Sequence, residues 1–422
     1  MIGLLHGYLL EGSGSNLWTR SVIEALCRTG ETVHLVCQEP HPELYDFIAT
    51  VHDYPLEGGV RERFTRDVPY PGRCIMHKPA LGETLPVYVW DEYEEFTRVV
   101  PMVHLEDHEI ETYLRRNTDV VRRVVQDHGI TVLQANHTVL MSVVAQRIEE
   151  ELGVPYVVMP HGSALEYAVK PDVRFHRYAS SALAGAERVL VSADELRERV
   201  LSVFPAQPEL ETRITEIRVG VDTSGFRPVA RSERPGNIET VAGLLGGDEG
   251  GGSLALQRER EEALARASTP AAVHHALARA AEYDGKQPDR DAAAKLRTID
   301  WQGDAVILFV GRIIVAQGVH GLVAALPEIL AQQPRARRVV AGHGPLREPL
   351  EALLFALRTG DRELAERLAT GAPCEDRLAS EPMSGVLEYW QALERDGSLD
   401  AYWESAARLL KEDTATFVGY MT

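Results

Sequence analysis

Residues 305–346 read AVILFVGRIIVAQGVHGLVAALPEILAQQPRARRVVAGHGPL: an apolar strand, a glycine-arginine turn, an amphipathic helix, a second apolar strand and a second glycine turn. A run that is apolar at consecutive positions, such as Ala305–Phe309, is typical of a strand buried on both faces. The helix-length segment between the two strands predicts a parallel βαβ crossover. Ligands of such sheets bind at the carboxyl ends of the strands. Gly311 and Arg312 are therefore candidate binding residues, because glycine lets a ligand approach the backbone and a guanidinium suits phosphate oxygens.

The beginning of the chain has a similar pattern. A strand at Ile2–Leu5 precedes a helix at Leu17–Arg28 and a second strand at Thr32–Cys37. The small residues of the loop between the first strand and the helix are Gly12, Gly14 and Ser15. Such a loop brings backbone N–H groups and a helix N-terminus toward an anion. Two units of this kind predict an α/β protein with two Rossmann-like domains, each built on a parallel sheet.

The first loop also leaves a nicotinamide-dependent oxidoreductase open as an alternative. The dinucleotide fingerprint requires a third glycine where Leu17 stands, which weakens this interpretation. Glu39, however, lies near the place of the acid that binds a ribose in that fingerprint.

Composition and charge exclude several classes of protein. A chain of 422 residues with 45% hydrophobic content is long enough for two or three domains. Its formal charge of -19 argues against nucleic acid or an anionic membrane as the main partner. No basic leader and no run of eighteen apolar residues occurs, so we predict a cytoplasmic protein without a transmembrane segment. None of the cysteines has a spacing suited to zinc, which favours reduced thiols in Cys27, Cys37, Cys74 and Cys374.

The remaining pattern predicts three parts. The first, residues 1–225, contains an irregular stretch from His52 to Glu95 with a β-rich segment at Leu85–Trp90. A helix over 106–128 and then alternating strands and helices follow. The predicted strands of this alternation are Ile130–Ala135, Val154–Met159, Arg188–Val191 and Ile214–Val219. The second part, residues 226–300, holds a glycine-rich linker at 243–253 and a charged helical segment at 254–282. The third part, residues 301–422, begins with the βαβ unit.

Two histidines follow predicted strands of the first part. His161 and Gly162 follow Val154–Met159 after Pro160, and Asn136 and His137 end the preceding strand in the same way. Sequential strands of such sheets tend to be neighbours, so we expect the two histidines to lie side by side. A hydrolase is not indicated, because the sequence contains no Gly-x-Ser-x-Gly nucleophile turn.

Five short motifs in order resemble glycosyltransferase family 4, whose members are retaining, nucleotide-sugar-dependent enzymes of the GT-B fold, with relatives among sucrose-phosphate and glycogen synthases. The motifs are GSGSN at 12–16, MPHGS at 159–163, VGVD at 219–222 with FRP at 226–228, VGR at 310–312 with GV at 318–319, and GHGPL at 342–346. They extend over residues 1–350, and the resemblance fades between 360 and 410.

The resemblance implies a transfer of sugar from a nucleotide-sugar donor to an acceptor, in the cleft between the two domains and without a metal or other cofactor. It implies that His161 contacts the transferred sugar near the reacting carbon and acts in catalysis. It assigns the donor phosphates to Gly12, Gly14, Ser15, Gly311, Arg312 and position 317. It also suggests contacts with the acceptor or sugar for Asn16, Asn136, His137 and Gly162.

Two departures from the family pattern affect the donor side. The family usually has a lysine five residues after the arginine, and here that residue is Gln317. Thr414–Met421 reads as a strand that in the family precedes a ribose-binding pair of glutamates, but the sequence ends at Thr422. The resemblance therefore implies a truncated chain with an incomplete second sheet of three strands and an impaired donor site. A non-catalytic sugar- or nucleotide-binding protein derived from the GT-B fold is the alternative.

Overall fold

The chain is described here as a computed structural model. The structure describes residues 1–88, 93, 95–223, 225–245, 252–267, 269–278, 287–373 and 380–421. They divide into two compact units, Met1–Val221 and Asp222–Thr422. Cys374 and parts of the predicted linker and charged segment lie outside the described residues. The sequence-based division at 225 and 300 stays a prediction.

The first unit is an α/β unit. Its strands are β1 (Ile2–Leu5), β2 (Thr32–Val36), β3 (Ile48–Tyr54), β4 (Arg61–Thr65), β5 (Arg73–Pro79), β6 (Thr84–Val87), β7 (Arg98–Pro101), β8 (Val132–Asn136), β9 (Tyr156–Met159), β10 (Arg188–Val191) and β11 (Ile214–Glu216). Its helices are α1 (Gly14–Arg28), α2 (Asp107–His128), α3 (Met141–Leu152), α4 (Gly162–Ala164), α5 (Val173–Gly185), α6 (Asp194–Val203) and α7 (Leu210–Arg213). A π-helical turn, Leu165–Val169, follows α4.

Nine of these strands form one sheet in the order β11-β10-β9-β8-β1-β2-β5-β3-β4. All neighbouring pairs are parallel except β3 and β4, which are antiparallel. β6 and β7 pair separately in parallel. Because parallel strands end at the same edge, the residues that follow β1, β8 and β9 are brought together there.

The stretch from His52 to Glu95 was predicted to be irregular apart from the β-rich segment at Leu85–Trp90, which overlaps β6, and before that segment the prediction is wrong. It contains β5, which lies inside the main sheet between β2 and β3, and also β4 and β6. β5 reads RCIMHKP and buries His77 completely, so its pattern has no simple alternation of apolar and polar residues. β4 reads RERFT and is largely exposed at the edge of the sheet, where apolar residues are not required.

Helix α2 shows how local sequence sets an element of this unit. Glu106 and Glu109 form a capping box at its start, and Gly129 ends it in a left-handed conformation with φ 61°. Its apolar face packs on the sheet with Ile110, Leu114, Val120, Val121, Val124 and Val125 buried. The helix therefore delivers its last residue, His128, to the sheet.

The second unit is also α/β. Its helices are α8 (Arg234–Leu244), α9 (Leu254–Ala265), α10 (Pro270–Ala278), α11 (Ala292–Arg297), α12 (Val319–Ala324), α13 (Leu326–Gln332), α14 (Arg347–Thr359), α15 (Arg362–Thr370), α16 (Ser384–Arg395) and α17 (Leu399–Leu409). Its strands are β12 (Ala305–Val310), β13 (Ala336–Ala341), β14 (Ala372–Pro373), β15 (Ser380–Glu381) and β16 (Ala415–Gly419). Within the described residues β12, β13 and β16 form a parallel sheet of three strands in that order. The predicted α/β class with parallel sheets in both units is confirmed.

The prediction that β12 is buried on both faces is wrong. Leu308 is 61% exposed and Val310 is 71% exposed. β12 is an edge strand of the described sheet, and on this face α11 packs against β13 and β16. The apolar run therefore has one covered face and one open face. Among the described residues, no helix combines the length and apolar character that crossing a membrane requires.

Candidate functional site

Three histidines meet at the carboxyl edge of the first sheet. His6 follows β1, His137 follows β8 and His161 follows β9, and these strands are neighbours in the order β9-β8-β1. The ring centroids of His137 and His161 are 4.7 Å apart, and those of His6 and His137 are 6.0 Å apart. The expectation that His137 and His161 lie side by side is confirmed. Their roles stay predictions.

The His137 and His161 rings carry polar atoms without partners. Within the described residues, both ring nitrogens of His137 and Nε2 of His161 are buried and make no hydrogen bond. Buried polar atoms are nearly always hydrogen-bonded in folded proteins, so such atoms require an explanation. His137 also has φ 67°, a left-handed conformation that is uncommon outside glycine and concentrates at functional sites. A polar ligand at this edge would satisfy the free nitrogens.

Both imidazoles are neutral near pH 7. Burial lowers the pKa of His161 to about 3, with a smaller contribution from His6. Burial likewise holds the pKa of His137 well below its usual range, and His161 and His6 act in the same direction. A neutral imidazole offers one N–H donor and one lone-pair acceptor. The pair can therefore donate to and accept from hydroxyl groups.

Two aromatic residues border the pair, and the sequence analysis missed both. The Tyr88 ring lies 4.4 Å from the His137 ring, and the Trp18 ring lies 5.5 Å from the His161 ring. The Tyr88 hydroxyl donates to the carbonyl of Val139, which holds its ring in place. Tyr88 follows β6 and Trp18 lies on α1, and neither residue belongs to one of the five motifs.

The loop before α1 is open. Gly12 has φ 88°, and Gly14 has no atom within 4 Å of the place where a Cβ would stand. The helix begins at Gly14 rather than at the predicted Leu17, because Ser13 caps it and its Oγ accepts from the backbone N–H of Asn16 at 3.3 Å. The capped N-terminus and Ser15 lie at the surface of the loop. Their predicted contact with donor phosphates stays a prediction.

The side chains of Asn16 and Asn136 are buried and bonded internally. His6 Nε2 lies 3.0 Å from Asn16 Oδ1, and His6 Nδ1 lies 3.2 Å from Asn136 Nδ2. Asn136 Nδ2 also donates to Thr19 Oγ1 at 2.8 Å. These bonds fasten the loop after β1 to the end of β8. The structure thus gives both amides a positioning role, whereas their contact with an acceptor stays a prediction.

A cation that the sequence analysis missed lies next to Gly162. A Cβ at Gly162 would stand 2.9 Å from Nη1 of Arg199. Arg199 comes from α6 and pairs with Glu195 and with Glu166. The absence of a side chain at Gly162 therefore lets this guanidinium approach the turn that carries His161.

Glu39, which supported the oxidoreductase alternative, is engaged by the backbone of its own loop. Its carboxylate is buried and accepts from the N–H of Leu10 and from the N–H of His41, both at 2.9 Å. It holds the chain after β1 and β2. This use of the carboxylate disfavours a ribose-binding role.

In the second unit the glycine turns after β12 and β13 lie against each other. Gly311 N–H donates to Ala341 at 3.1 Å, and a Cβ at Gly342 would stand only 1.8 Å from the Gly311 oxygen. Gly342 has φ 154°, so both space and conformation require glycine. Arg312 is half-buried beside this pair, and Gln317 is exposed in the 3-10 turn Val315–Gln317. The predicted phosphate contacts of these residues stay predictions.

The family comparison concerns the first unit. A family model described as a glycosyl transferase 4-like domain matches residues 13–214. The chain is 36% identical to alpha-D-kanosaminyltransferase from Streptomyces kanamyceticus over 111 residues, which are 26% of this chain and 29% of that protein. The chain thus matches less than a third of this relative's length.

Two solved structures are distantly similar. Sucrose-phosphate synthase from Thermosynechococcus elongatus is 13% identical with a TM-score of 0.42, and the match covers 100% of this chain and 70% of that chain. A UDP-forming alpha,alpha-trehalose-phosphate synthase from Burkholderia xenovorans is 11% identical with a TM-score of 0.41, over 100% of this chain and 73% of that chain.

Proposed function

We propose that this chain, whose residues 13–214 match the glycosyl transferase 4-like domain, transfers a sugar from a nucleotide-sugar donor to a hydroxyl acceptor with retention of configuration. The reaction needs no metal or other cofactor on this proposal. His161 is the residue that contacts the transferred sugar.

One observation carries the proposal: the neutral imidazoles of His137 and His161, 4.7 Å apart, have three buried ring nitrogens without partners among the described residues. Sugars present several hydroxyl groups on a small surface, and each can donate or accept a hydrogen bond. The rings of Tyr88 and Trp18 add flat apolar surfaces beside the histidines. Together these groups suit the hydroxyl groups and the apolar faces of a sugar.

On the donor side, Arg312 has the chemistry that the reaction needs. Breaking the bond between a sugar and a nucleoside diphosphate leaves negative charge on the β-phosphate oxygens. A positioned guanidinium stabilises that charge as it develops. The turns at Gly311 and Gly342 lie against each other at the carboxyl ends of β12 and β13, which is the edge where ligands of parallel sheets bind.

Turnover is low on this proposal. Gln317, where the family has a lysine, provides a hydrogen bond without a charge, and bonds to charged groups are worth about 1.5–3 kcal/mol against about 1 kcal/mol for neutral ones. The three-stranded sheet of the described second unit also offers few strand ends to hold a nucleoside. These two features favour the second candidate, a non-catalytic sugar- or nucleotide-binding protein of the same fold.

An assay of the full chain separates the two candidates. UDP-, GDP- and ADP-glucose and a nucleotide-activated kanosamine are incubated with a panel of sugar and amino-sugar acceptors. Mass spectrometry detects the product, and NMR of its anomeric proton gives the configuration. We expect retained product at a rate below about 1 per second. Nucleotide binding without any product would support the binding protein. Inverted product would refute retention, and failure to bind both nucleotides and sugars would refute both candidates.

A further inference from the structure

Four histidines form a second cluster in the first unit, away from the loops that carry His161. His34 lies on β2, His52 on β3, His77 on β5 and His128 at the end of α2. In the sheet register His77 is opposite both Val36 and His52, so His34, His52 and His77 face the same side. That side is covered by α2, whose last residue brings in His128. The His34 and His128 ring centroids are 4.4 Å apart, and those of His77 and His128 are 5.6 Å apart.

The nitrogens of three of these residues converge. One nitrogen each from His34, His77 and His128 lies within 4.8 Å of the other two. His34 Nδ1 and His77 Nε2 are 3.0 Å apart. Two ligands on a tetrahedral Zn²⁺, each about 2.0–2.1 Å from the metal, stand about 3.3 Å from each other. The first pair already has nearly this separation, and a modest shift of the half-exposed His128 ring completes the set.

The orientation of the His77 ring also suits a metal. The Tyr54 hydroxyl lies 2.9 Å from His77 Nδ1. This bond fixes the ring, as second partners of metal-bound histidines do, and directs Nε2 toward His34 Nδ1. A metal ion bound by both nitrogens would replace the hydrogen bond between them.

His52 stands next to the cluster as a possible fourth ligand. Its ring centroid is 5.5 Å from that of His77, and its Nδ1 is buried without a hydrogen bond among the described residues. The side chain of His52 is 20% exposed and its Nε2 lies 4.0 Å from Glu62. The cluster is therefore closed on the sheet side and reachable past His52 and His128.

We propose that His34, His77 and His128 bind one divalent transition-metal ion, with Zn²⁺ as the ion that fits best, and that this ion fastens the end of α2 to the sheet. Imidazole ligands favour such ions over Mg²⁺ and Ca²⁺, which prefer oxygen. The ligands come from three separate elements, so the site depends on the folded unit. The site is independent of the sugar-transfer proposal.

The test measures metal binding to the untagged full chain by calorimetry, with Zn²⁺ as the probe and Mg²⁺ as the comparison. We expect one Zn²⁺ per chain and no response to Mg²⁺. His128→Gln should weaken Zn²⁺ binding at least tenfold, and it should fold because the residue is half-exposed at a helix end. His108→Gln is the matched control, since His108 is exposed at the other end of the same helix. Its affinity should stay within twofold of the wild type.

Two further measurements tie binding to these ligands. Co²⁺ in place of Zn²⁺ should give the strong visible absorption of a tetrahedral site in the wild type and lose it in His128→Gln. Tyr54→Phe keeps the ring but removes the hydroxyl at His77, and we expect weaker Zn²⁺ binding by roughly tenfold. Absence of stoichiometric Zn²⁺ binding in the wild type would overturn the proposal. Equal affinities of the wild type and His128→Gln would overturn it as well, because they would place the bound ion elsewhere.

Discussion

Acidification should destabilise the first unit far more than the second, because the first unit buries neutral histidines. Burial lowers the pKa of His6 and His34 to about 4 and that of His161 to about 3. An unfolded histidine has a pKa near 6.5. Below that pH, each of these histidines binds a proton when the unit unfolds, whereas the folded unit leaves the same histidine unprotonated. The stability they contribute is therefore fully present above pH 6.5 and is lost as pH falls toward 4.

The magnitude follows from this proton uptake. Between pH 7.5 and 5.5 each such histidine reduces the free energy of unfolding by about 1.4 kcal/mol, so the three together reduce it by about 4 kcal/mol. The pKa values of His77 and His137 are also held well below the usual range by burial, so these two residues act in the same direction. That is a large fraction of the stability of an ordinary domain.

The second unit should respond weakly because two of its groups act in opposite directions. Burial and the neighbouring Glu351 raise the pKa of Glu348 to about 8. The stability linked to Glu348 is present below an unfolded pKa near 4.5 and is lost as pH rises through 8, so acidification increases it. The lowered pKa of His320, caused by burial, has the opposite effect.

Hydrogen exchange with mass spectrometry can compare the units within one full chain. Peptides covering β1, β2 and β8 report on the first unit, and peptides covering β13 and α14 report on the second. The experiment is done at pH 7.5, 6.5 and 5.5 with a chelator present, and rates are corrected for intrinsic exchange. We expect the opening free energy of the first unit to fall by at least about 4 kcal/mol. A fall below about 1 kcal/mol, or an equal fall in both units, would refute the reasoning.

Three further predictions concern single residues. His161→Ala should lower turnover by roughly 100-fold while shifting the melting temperature little. Kinetics and thermal melts measured in parallel test this, and a large fall in melting temperature with a proportionate loss of turnover would indicate a structural role. Gln317→Lys should tighten nucleoside diphosphate binding by about 1 kcal/mol and Arg312→Ala should weaken it, and both effects should be smaller at high salt. Equal calorimetric affinities of the wild type and Gln317→Lys would show that position 317 does not contact the donor. Gly342→Ala should destabilise the second unit by about 3 kcal/mol in urea titrations. Gly321→Ala, a control with open space where its Cβ would stand, should not destabilise it. Equal free energies of unfolding for the two variants would contradict the close approach of the turns.

The sequence predicted the bounds of those helices and strands whose hydrophobic pattern and end signals lie within the element itself. β1 and β10 have their predicted bounds, and α2 begins one residue after the predicted start. In each case a run of apolar residues or one apolar face ends at a turn or cap. β5 was missed because its buried face includes His77, whose ring is satisfied by His34 and Tyr54 rather than by apolar packing. Burial of such a residue depends on partners that are distant in sequence.

The candidate site was predicted only in part for the same reason. His137 and His161 could be paired because both follow strands, and the rule for sequential strands places them together. Three further residues reach the site from other elements: Tyr88, Trp18 and Arg199. Their spacing in the sequence does not indicate that they lie at the site.

The spacing of the histidines in the sequence also does not predict the cluster under α2. His34 and His77 are separated by 43 residues, and local metal motifs hold their ligands within a few residues of one another. Only the order of β2, β5 and β3 in the sheet brings the rings together.

The open side of β12 has a consequence for the behaviour of the protein at high concentration. Within the described sheet this strand pairs with β13 alone, and Leu308 and Val310 leave an apolar surface along it. A strand edge of this kind is a template onto which another extended peptide can add, and natural sheets protect such edges with lysine, proline or a bulge. The described residues of β12, AVILFV, contain none of these. Strand addition at β12, between chains or from a peptide, is therefore one route by which this fold can aggregate, and Leu308→Lys should oppose it.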